Sequence, residues 1–320
     1  MVRIFQLPLK MQNKLSAIAL LFMLGAVWGS SFIFMKLGME PKPGKHVLNH
    51  FQVAGLRMLI AGIVTLPFAI KSWHLLKTKN ILYFLIVGLC GNFIPSYLFT
   101  YAGTTLSSGF CGILNSFTPI FTVLIGVLAF RTSIHWLQII GIFIGSAGIY
   151  FLITAGSGLS IQNSPKHIFA ILTATLLYGI SVNTIRHKLG AISPIDVTAL
   201  GLFCIMPFSF LSFLWEGTYQ SLQSTELGWQ SLVYVFILGA LGTAISNIYF
   251  NRLIKITSAI FASSVTYLIP LFAVIFGFLL NETISTYQLL SMFVLLCGVF
   301  LVNFHELILG FIGKKYKQLF

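Results

Sequence analysis

Ten apolar runs of about 20 residues each follow one another along the chain. They lie at Leu15–Met35, Val47–Ile70, Ile81–Tyr101, Leu106–Phe130, Ile134–Thr154, Ile168–Thr184, Ile195–Trp215, Leu232–Phe250, Ala259–Leu280 and Tyr287–Phe304. A helix of that length crosses a hydrocarbon core about 30 Å thick. The core offers no water to backbone N–H and C=O groups, so each run must be a helix that satisfies its own polar backbone. Only 8% of residues are charged and 57% are hydrophobic, whereas a soluble domain carries about 25% charged residues. The fold class is therefore all-α integral membrane, with ten transmembrane helices.

The stretch Tyr83–Gly148 is written twice. At a shift of 151 residues, Tyr83, Gly88, Gly91, Phe99, Ser107, Phe110, Pro119, Phe121, Gly126 and Thr132 fall on Tyr234, Gly239, Gly242, Phe250, Ser258, Phe261, Pro270, Phe272, Gly277 and Thr283. At 150 residues, Gln138, Phe143 and Gly148 fall on Gln288, Phe293 and Gly298. Matching glycines and prolines fix close backbone approach and helix breaks, which greasiness alone does not. Five runs lie in each copy and five is odd, so the copies must sit in the membrane as two inverted five-helix repeats. The expected organisation is a first repeat at 1–154, a second at 168–308 and a basic cytoplasmic tail at 309–320. Inverted repeats of this kind are a recurring plan of secondary transporters, with the substrate site between the repeats near the midplane.

The net charge of +13 is distributed as topology. With the N-terminus in the cytoplasm, the inside segments hold fourteen basic residues, Arg3, Lys10, Lys14, Lys71, Lys77, Lys79, Arg131, Arg186, Lys188, Arg252, Lys255, Lys314, Lys315 and Lys317. The outside segments hold four, Lys36, Lys42, Lys45 and Lys166, together with Glu40, Glu216, Glu226 and Glu282. This is the positive-inside bias, and it places both termini in the cytoplasm of a multi-pass protein of the cell inner (plasma) membrane. Contact with anionic membrane lipids follows. No basic stripe or aromatic platform suits nucleic acid. Cys90, Cys111, Cys204 and Cys297 all fall inside apolar runs and frame no disulfides. The first run continues through Phe32-Ile33-Phe34 and reads as a permanent helix rather than a removed leader.

Candidate site residues sit where polarity interrupts the runs. Trp73, Trp136, Trp215 and Trp229 stand near span ends, as interfacial belts require. Trp28, within Trp28-Gly29-Ser30-Ser31, stands mid-span, where its N–H needs a partner. Its repeat counterpart is Tyr178-Gly179-Ile180-Ser181. Two readings stay open here: close helix packing through Gly29 and Gly179, or aromatic walls of a central cavity with Ser31 beside them. The third and eighth runs carry Asn92, Pro95, Ser96, Tyr97 and Tyr101, and Thr243, Ser246, Asn247, Tyr249 and Asn251. The fourth and ninth carry Asn115 and Tyr267 beside Pro119 and Pro270, which remove a backbone donor and free a carbonyl one turn earlier. Expected substrate-binding residues are thus Trp28, Ser31, Asn92, Tyr97, Tyr101, Asn115, Tyr178, Asn247, Tyr249 and Tyr267, with Pro119 and Pro270 as kink or gating positions. Arg57 lies about ten residues into its run, deep enough to be costly unless paired or wetted. It reads as a structural charge bonded to helix-end carbonyls, Glu40 or Glu282, or as a contact for an anionic substrate group.

Taken together these segments resemble the EamA-type transporters of the drug/metabolite transporter superfamily. Trp28-Gly29-Ser30-Ser31-Phe32 with Lys36 looks like that family's first helix, and Leu56-Arg57-Met58-Leu59 like its second. Tyr101-Ala102 leading to Thr105-Leu106-Ser107-Ser108 is similar to the third-to-fourth junction. Pro119-Ile120-Phe121 and Pro270-Leu271-Phe272 resemble its paired mid-helix prolines. Asn281-Glu282-Thr283 and Gln138-Ile139-Ile140-Gly141 match its ninth-helix end and fifth-helix start. Arg131 and Ser291 depart from the pattern, which usually has glutamate and glycine there. The resemblance implies a carrier of small polar metabolites, amino acids or related amines, most often exported.

Other classes lack their residues. The chain has no G-x-x-x-x-G-K-[ST] phosphate cradle. It has no Asp or Glu deep in a run for a proton relay, and no acid, histidine or cysteine cluster for an enzyme or a metal site. The expectation is a secondary transporter working by alternating access, with no catalytic residues, no metal and no cofactor. Helices 1–4 would face helices 6–9, and helices 5 and 10 would be scaffold, packed through Gly141-x-x-x-Gly145 and Gly148. The alternatives are an uptake or exchange carrier for a nucleoside-like or methyl-donor metabolite, and a lipid flippase or interfacial lipid enzyme. The partners expected are the small-molecule substrate and membrane lipids, and whether two copies pair as a homodimer stays open.

Overall fold

The computed structural model describes residues 9–77, 80–106, 108–155, 165–272 and eleven residues between 286 and 301. All regular structure among them is helical. Helix α1 spans Leu9–Met39, α2 His50–Lys71 and α3 Ile81–Gly103, while α4 comes in two pieces, Ser108–Asn115 and Thr118–Phe130. Helix α5 spans Trp136–Ala155, α6 Pro165–Lys188, α7 Pro194–Trp215, α8 Gly228–Ile256 and α9 Ala259–Phe272. Between 286 and 301 the described residues are again helical.

Six helices, α1–α3 and α6–α8, are long and apolar enough to cross a membrane, and three apolar helices, Thr118–Phe130, Trp136–Gly148 and Ala259–Phe272, are shorter. Among the described residues, two of the ten expected runs, the fourth and the ninth, are not single regular α-helices. The fourth run is broken in the turn at residues 116–117, just ahead of Pro119. Proline has no N–H and its ring crowds the carbonyl four residues back, so a helix ends or kinks there. In α9 the backbone tightens to a 3₁₀ turn over Ser264–Tyr267, just ahead of Pro270. The breaks fall at repeat-equivalent places. So do two π turns, Leu89–Phe93 in α3 and Ala240–Ile245 in α8, the second starting 151 residues after the first.

Helix ends follow local chemistry. Asn49 and Gln52 form a reciprocal capping box at the start of α2, each side-chain oxygen accepting the other's backbone N–H at 2.8 Å. Ser193 caps α7 ahead of Pro194, whose missing N–H costs nothing at a first turn. Helix α4 stops at Arg131, which takes a left-handed φ of 53°.

Each half inserts its first helix into the other. Helix α1 lies against α8, and α6 lies against α3 and α4. Helices α2 and α7, equivalent in the repeat, pack along each other and are fastened at both ends. At one end Gln52 Nε2 donates to the Glu216 carbonyl at 2.8 Å, and at the other the Ser72 hydroxyl donates to Asp196. Glycines permit the closest crossings. A Cβ on Gly88 would stand 2.3 Å from the Gly201 carbonyl oxygen, and one on the equivalent Gly239 would stand 2.9 Å from the Arg57 carbonyl oxygen. The expected α5 seam is used as well: a Cβ on Gly298 would stand 2.3 Å from Gly145 N and 2.7 Å from the Gly141 carbonyl. Outward faces carry Leu128, Phe143, Phe169 and Trp215, all strongly exposed, as lipid-facing surfaces do.

Gly88→Ala forces two backbones apart and is expected to cost about 1–3 kcal/mol. Gly103→Ala meets only the flexible tip of Met35, at 3.2 Å, and is expected to cost far less. Thermal unfolding of the detergent-solubilised protein compares the two, and equal midpoints would contradict the close α3–α7 crossing.

Candidate functional site

Where α3 and α8 bend at their π turns, the helices separate around a cavity of about 110 Å³. One water needs about 10–15 Å³, so the space holds several waters or a small metabolite. Helices α1–α4 and α6–α9 all line it, and α5 does not among the described residues. The described lining carries one charged side chain, Arg57, and no carboxylate. Its other polar groups include Ser31, Asn92, Asn115, Ser181, Thr198, Thr243, Asn247 and Asn251.

The walls come in repeat-related pairs. Trp28 meets Phe250 edge-on with ring centroids 5.1 Å apart, and Tyr178 stacks on Phe99 at 6.0 Å. These are the same two positions in each copy, paired across the halves. Glycines let the first helices in: a Cβ on Gly242 would stand 3.0 Å from Ser31 Oγ, and one on Gly91 would stand 2.3 Å from Ser181 Oγ. Asn92 Nδ2 donates to the Val87 carbonyl at 3.2 Å, and Thr243 Oγ1 donates to the equivalent Leu238 carbonyl at 3.0 Å. Each side chain bridges its own π turn. Two bonds then tie these residues to their neighbours. Arg57 Nε donates to Thr243 Oγ1 at 2.7 Å, joining the halves, and Asn247 Nδ2 donates to Asn92 Oδ1 at 2.5 Å, joining them again.

The broken helices release carbonyls into this space, and a buried carbonyl needs a donor. Pro119 cannot reach the Asn115 carbonyl, which accepts from Thr118 Oγ1 at 2.7 Å. Pro270 cannot reach the Thr266 carbonyl, which accepts from Ser116 Oγ at 2.8 Å. In α8 the Ser246 N–H closes on Leu241 instead of Gly242, and the Gly242 carbonyl accepts from Trp28 Nε1 at 3.0 Å.

Seven of the residues singled out from sequence therefore meet at one cavity: Trp28, Ser31, Arg57, Asn92, Asn115, Tyr178 and Asn247. Four tyrosines lie elsewhere. Tyr97 donates to Ser212 Oγ at 2.6 Å beside a lateral groove lined by Phe51, Phe93 and Trp215. Tyr101 stacks on His167 at 4.3 Å near the end of α3. Tyr249 is 36% exposed on an outer face, while Tyr267 is 0% exposed and lies against Gly145 of α5. Beyond the π turns the lining is Ser96 and Phe99 on α3 and Asn247, Phe250 and Asn251 on α8, and at about 100° per residue Tyr97, Tyr101 and Tyr249 stand on other sides of those helices. Pro119 and Pro270 stand one turn from the lining at Asn115 and Thr266 rather than in a wall of their own. Arg57 finds Thr243 rather than an acid. Glu40 instead accepts from Gly44 N at 2.5 Å and lies 3.8 Å from His46, and Glu282 falls outside the described residues. Sequence reasoning missed Phe99, Phe250 and Thr198 as lining. The first two were visible as a repeat-matched pair.

A family model described as the EamA-like transporter family matches residues 15–154 and 165–304, once for each half. The Uncharacterized inner membrane transporter YedA of Escherichia coli strain K12 is 26% identical over 293 residues, covering 88% of this chain and 89% of that protein. The WAT1-related protein At3g02690, chloroplastic, of Arabidopsis thaliana is 28% identical over 303 residues, covering 87% of this chain and 67% of that protein. A solved structure described as "Crystal structure of protein" superposes with a TM-score of 0.66 at 15% identity, covering 89% of this chain and 96% of that one, and shares the fold.

Trp28→Phe keeps the aromatic contact with Phe250 and removes the donor to Gly242. The expected loss is about 1–3 kcal/mol, the cost of an orphaned buried acceptor, against about 3–5 kcal/mol for Trp28→Ala. Thermal unfolding checks the order, and an unaffected Trp28→Phe would mean that the indole bond carries no weight.

Proposed function

Because the chain belongs to the EamA-like transporter family and is a multi-pass membrane transporter, we propose that it is a secondary carrier moving a small polar metabolite, an amino acid or related compound, by alternating access. The observation that carries this reading is the cavity between the halves, with Arg57 as its one described charge and no acid among the described lining residues. A guanidinium so placed is matched by a carboxylate, which it binds through paired N–H groups. The surrounding Asn, Ser and Thr groups offer neutral hydrogen bonds, and the flanking Trp28 and Tyr178 give an aromatic boundary. The described lining, with a cation and without a carboxylate, argues against an organic cation as cargo.

Alternating access is supported by the repeat and by where the helices are interrupted. Breaks at Pro119 and Pro270 and π turns in α3 and α8 sit beside the cavity, the places at which carriers bend around a fixed site. Export is the direction that the likeness to the family implies. The charge asymmetry supports cytoplasmic termini, and the name of the Escherichia coli relative supports an inner-membrane location.

The protein reconstituted in liposomes is expected to catalyse counterflow of at least one labelled amino acid. Arg57→Gln is expected to lower that exchange by about tenfold or more, the worth of a hydrogen-bonded charge pair. Tyr249→Ala, on an outer face, should exchange at the wild-type rate. Exchange of nucleosides without amino acids would favour the uptake reading instead, and an Arg57→Gln protein that exchanges normally would remove the arginine from the site.

A further inference from the structure

Among the described residues that line the cavity, Gly91, Asn115, Gly242 and Thr266 have carbonyls without their ordinary α-helical donors, and three of these accept from side chains. The fourth is Gly91. Pro95 follows it by four residues and has no N–H, so the α-helical bond to the Gly91 carbonyl cannot form. The π turn just ahead makes this worse, since the Ile94 N–H is spent on Leu89. The repeat supplies the comparison. Gly242 holds the same place in α8, and its carbonyl is filled by the indole of Trp28. The residue equivalent to Trp28 is Tyr178, whose ring stacks on Phe99. Among the described residues no side chain donates to Gly91.

The asymmetry extends to charge. Arg57 has no basic counterpart in the second copy: α2 and α7 have the same length, from caps at Asn49 and Ser193, and that register sets Gly201 against Arg57, whose carbonyls the equivalent Gly239 and Gly88 meet. One side of the cavity thus presents a cation, and on the α3 side Gly91, with a carbonyl that lacks its α-helical donor, lines the space beside the Ser181 hydroxyl. We propose that the Gly91 carbonyl and Ser181 form a subsite for an ammonium group, so that the carrier selects compounds bearing both an amine and an acid, the acid held by Arg57. This rests on the transport reading above and adds which end of the substrate each wall reads.

The test uses counterflow in liposomes with neutral L-amino acids, each beside its des-amino acid and its decarboxylated amine. For leucine these are 4-methylpentanoate and 3-methylbutylamine. The wild type is expected to prefer each transported amino acid over its des-amino analogue by about tenfold or more. Pro95→Ala restores the missing N–H, which then competes for the Gly91 carbonyl. In that variant the preference is expected to fall toward unity while exchange of the des-amino acid persists. Ser181→Ala leaves the backbone alone and is expected to lower the same preference severalfold, so the proposal stands or falls even when Pro95→Ala does not fold. A wild type that moves 4-methylpentanoate as well as leucine overturns the ammonium subsite and leaves the carrier reading intact. So does an undiminished preference in both variants. No exchange of any member of the panel overturns the transport reading and the subsite with it.

Discussion

Inside a bilayer a released carbonyl has no water to turn to, and this one constraint organises the middle of the molecule. Two prolines and two π turns open the helices around the cavity, and each opening leaves an acceptor to be filled. Trp28 closes Gly242, Ser116 closes Thr266 and Thr118 closes Asn115. Two of these three bonds run from one half of the chain to the other. The need to satisfy the backbone therefore does double duty, joining the repeats where neither hydrophobicity nor charge would. Association between membrane helices has no hydrophobic drive of its own, so close glycine crossings and such bonds are what hold the halves in register.

Arg57 shows the same economy under a heavier load. A guanidinium at mid-depth is tolerated when it faces a wet or protein-lined space. Among the described residues it is anchored by one neutral bond, Nε to Thr243 at 2.7 Å. A bond from α2 to α8 ties the charge to the π turn of the other repeat. Anything that draws the guanidinium toward a ligand pulls on that turn, while the α2–α7 pair stays fastened at both ends. The cavity thus has a firm back and a yielding front.

Much of this was legible in the residues. The apolar runs announced membrane helices, the doubled Tyr83–Gly148 stretch announced two related halves, and mid-span Trp28 announced an indole in need of an acceptor. Gly88 and Gly239, read as close approaches, are where backbones touch. The π turns were not legible. Pro95 hints at one in α3, but nothing in Ala240–Ile245 marks the other, since a π turn arises from packing against a neighbour rather than from a breaking residue. Nor was it legible which side of α3 and α8 faces the cavity: Ser96 and Asn247 line it, while Tyr97, Tyr101 and Tyr249 stand on other sides of the same helices. Tyr267, expected at the cavity from its place beside a proline break, has its ring in the hollow that Gly145 leaves in α5.

Because each wall of the cavity descends from the same ancestral segment, the molecule keeps two drafts of one surface. Position 28 carries an indole and position 178 a phenol; position 57 carries a cation and its counterpart, Gly201, no side chain at all. Neither divergence touched the glycine crossings or the Phe99 and Phe250 partners that hold the halves together. A duplicated surface of this kind lets natural selection rewrite what one wall recognises while the other preserves the fit. New cargo then needs only a handful of substitutions on one wall, while the glycine crossings stay as they are.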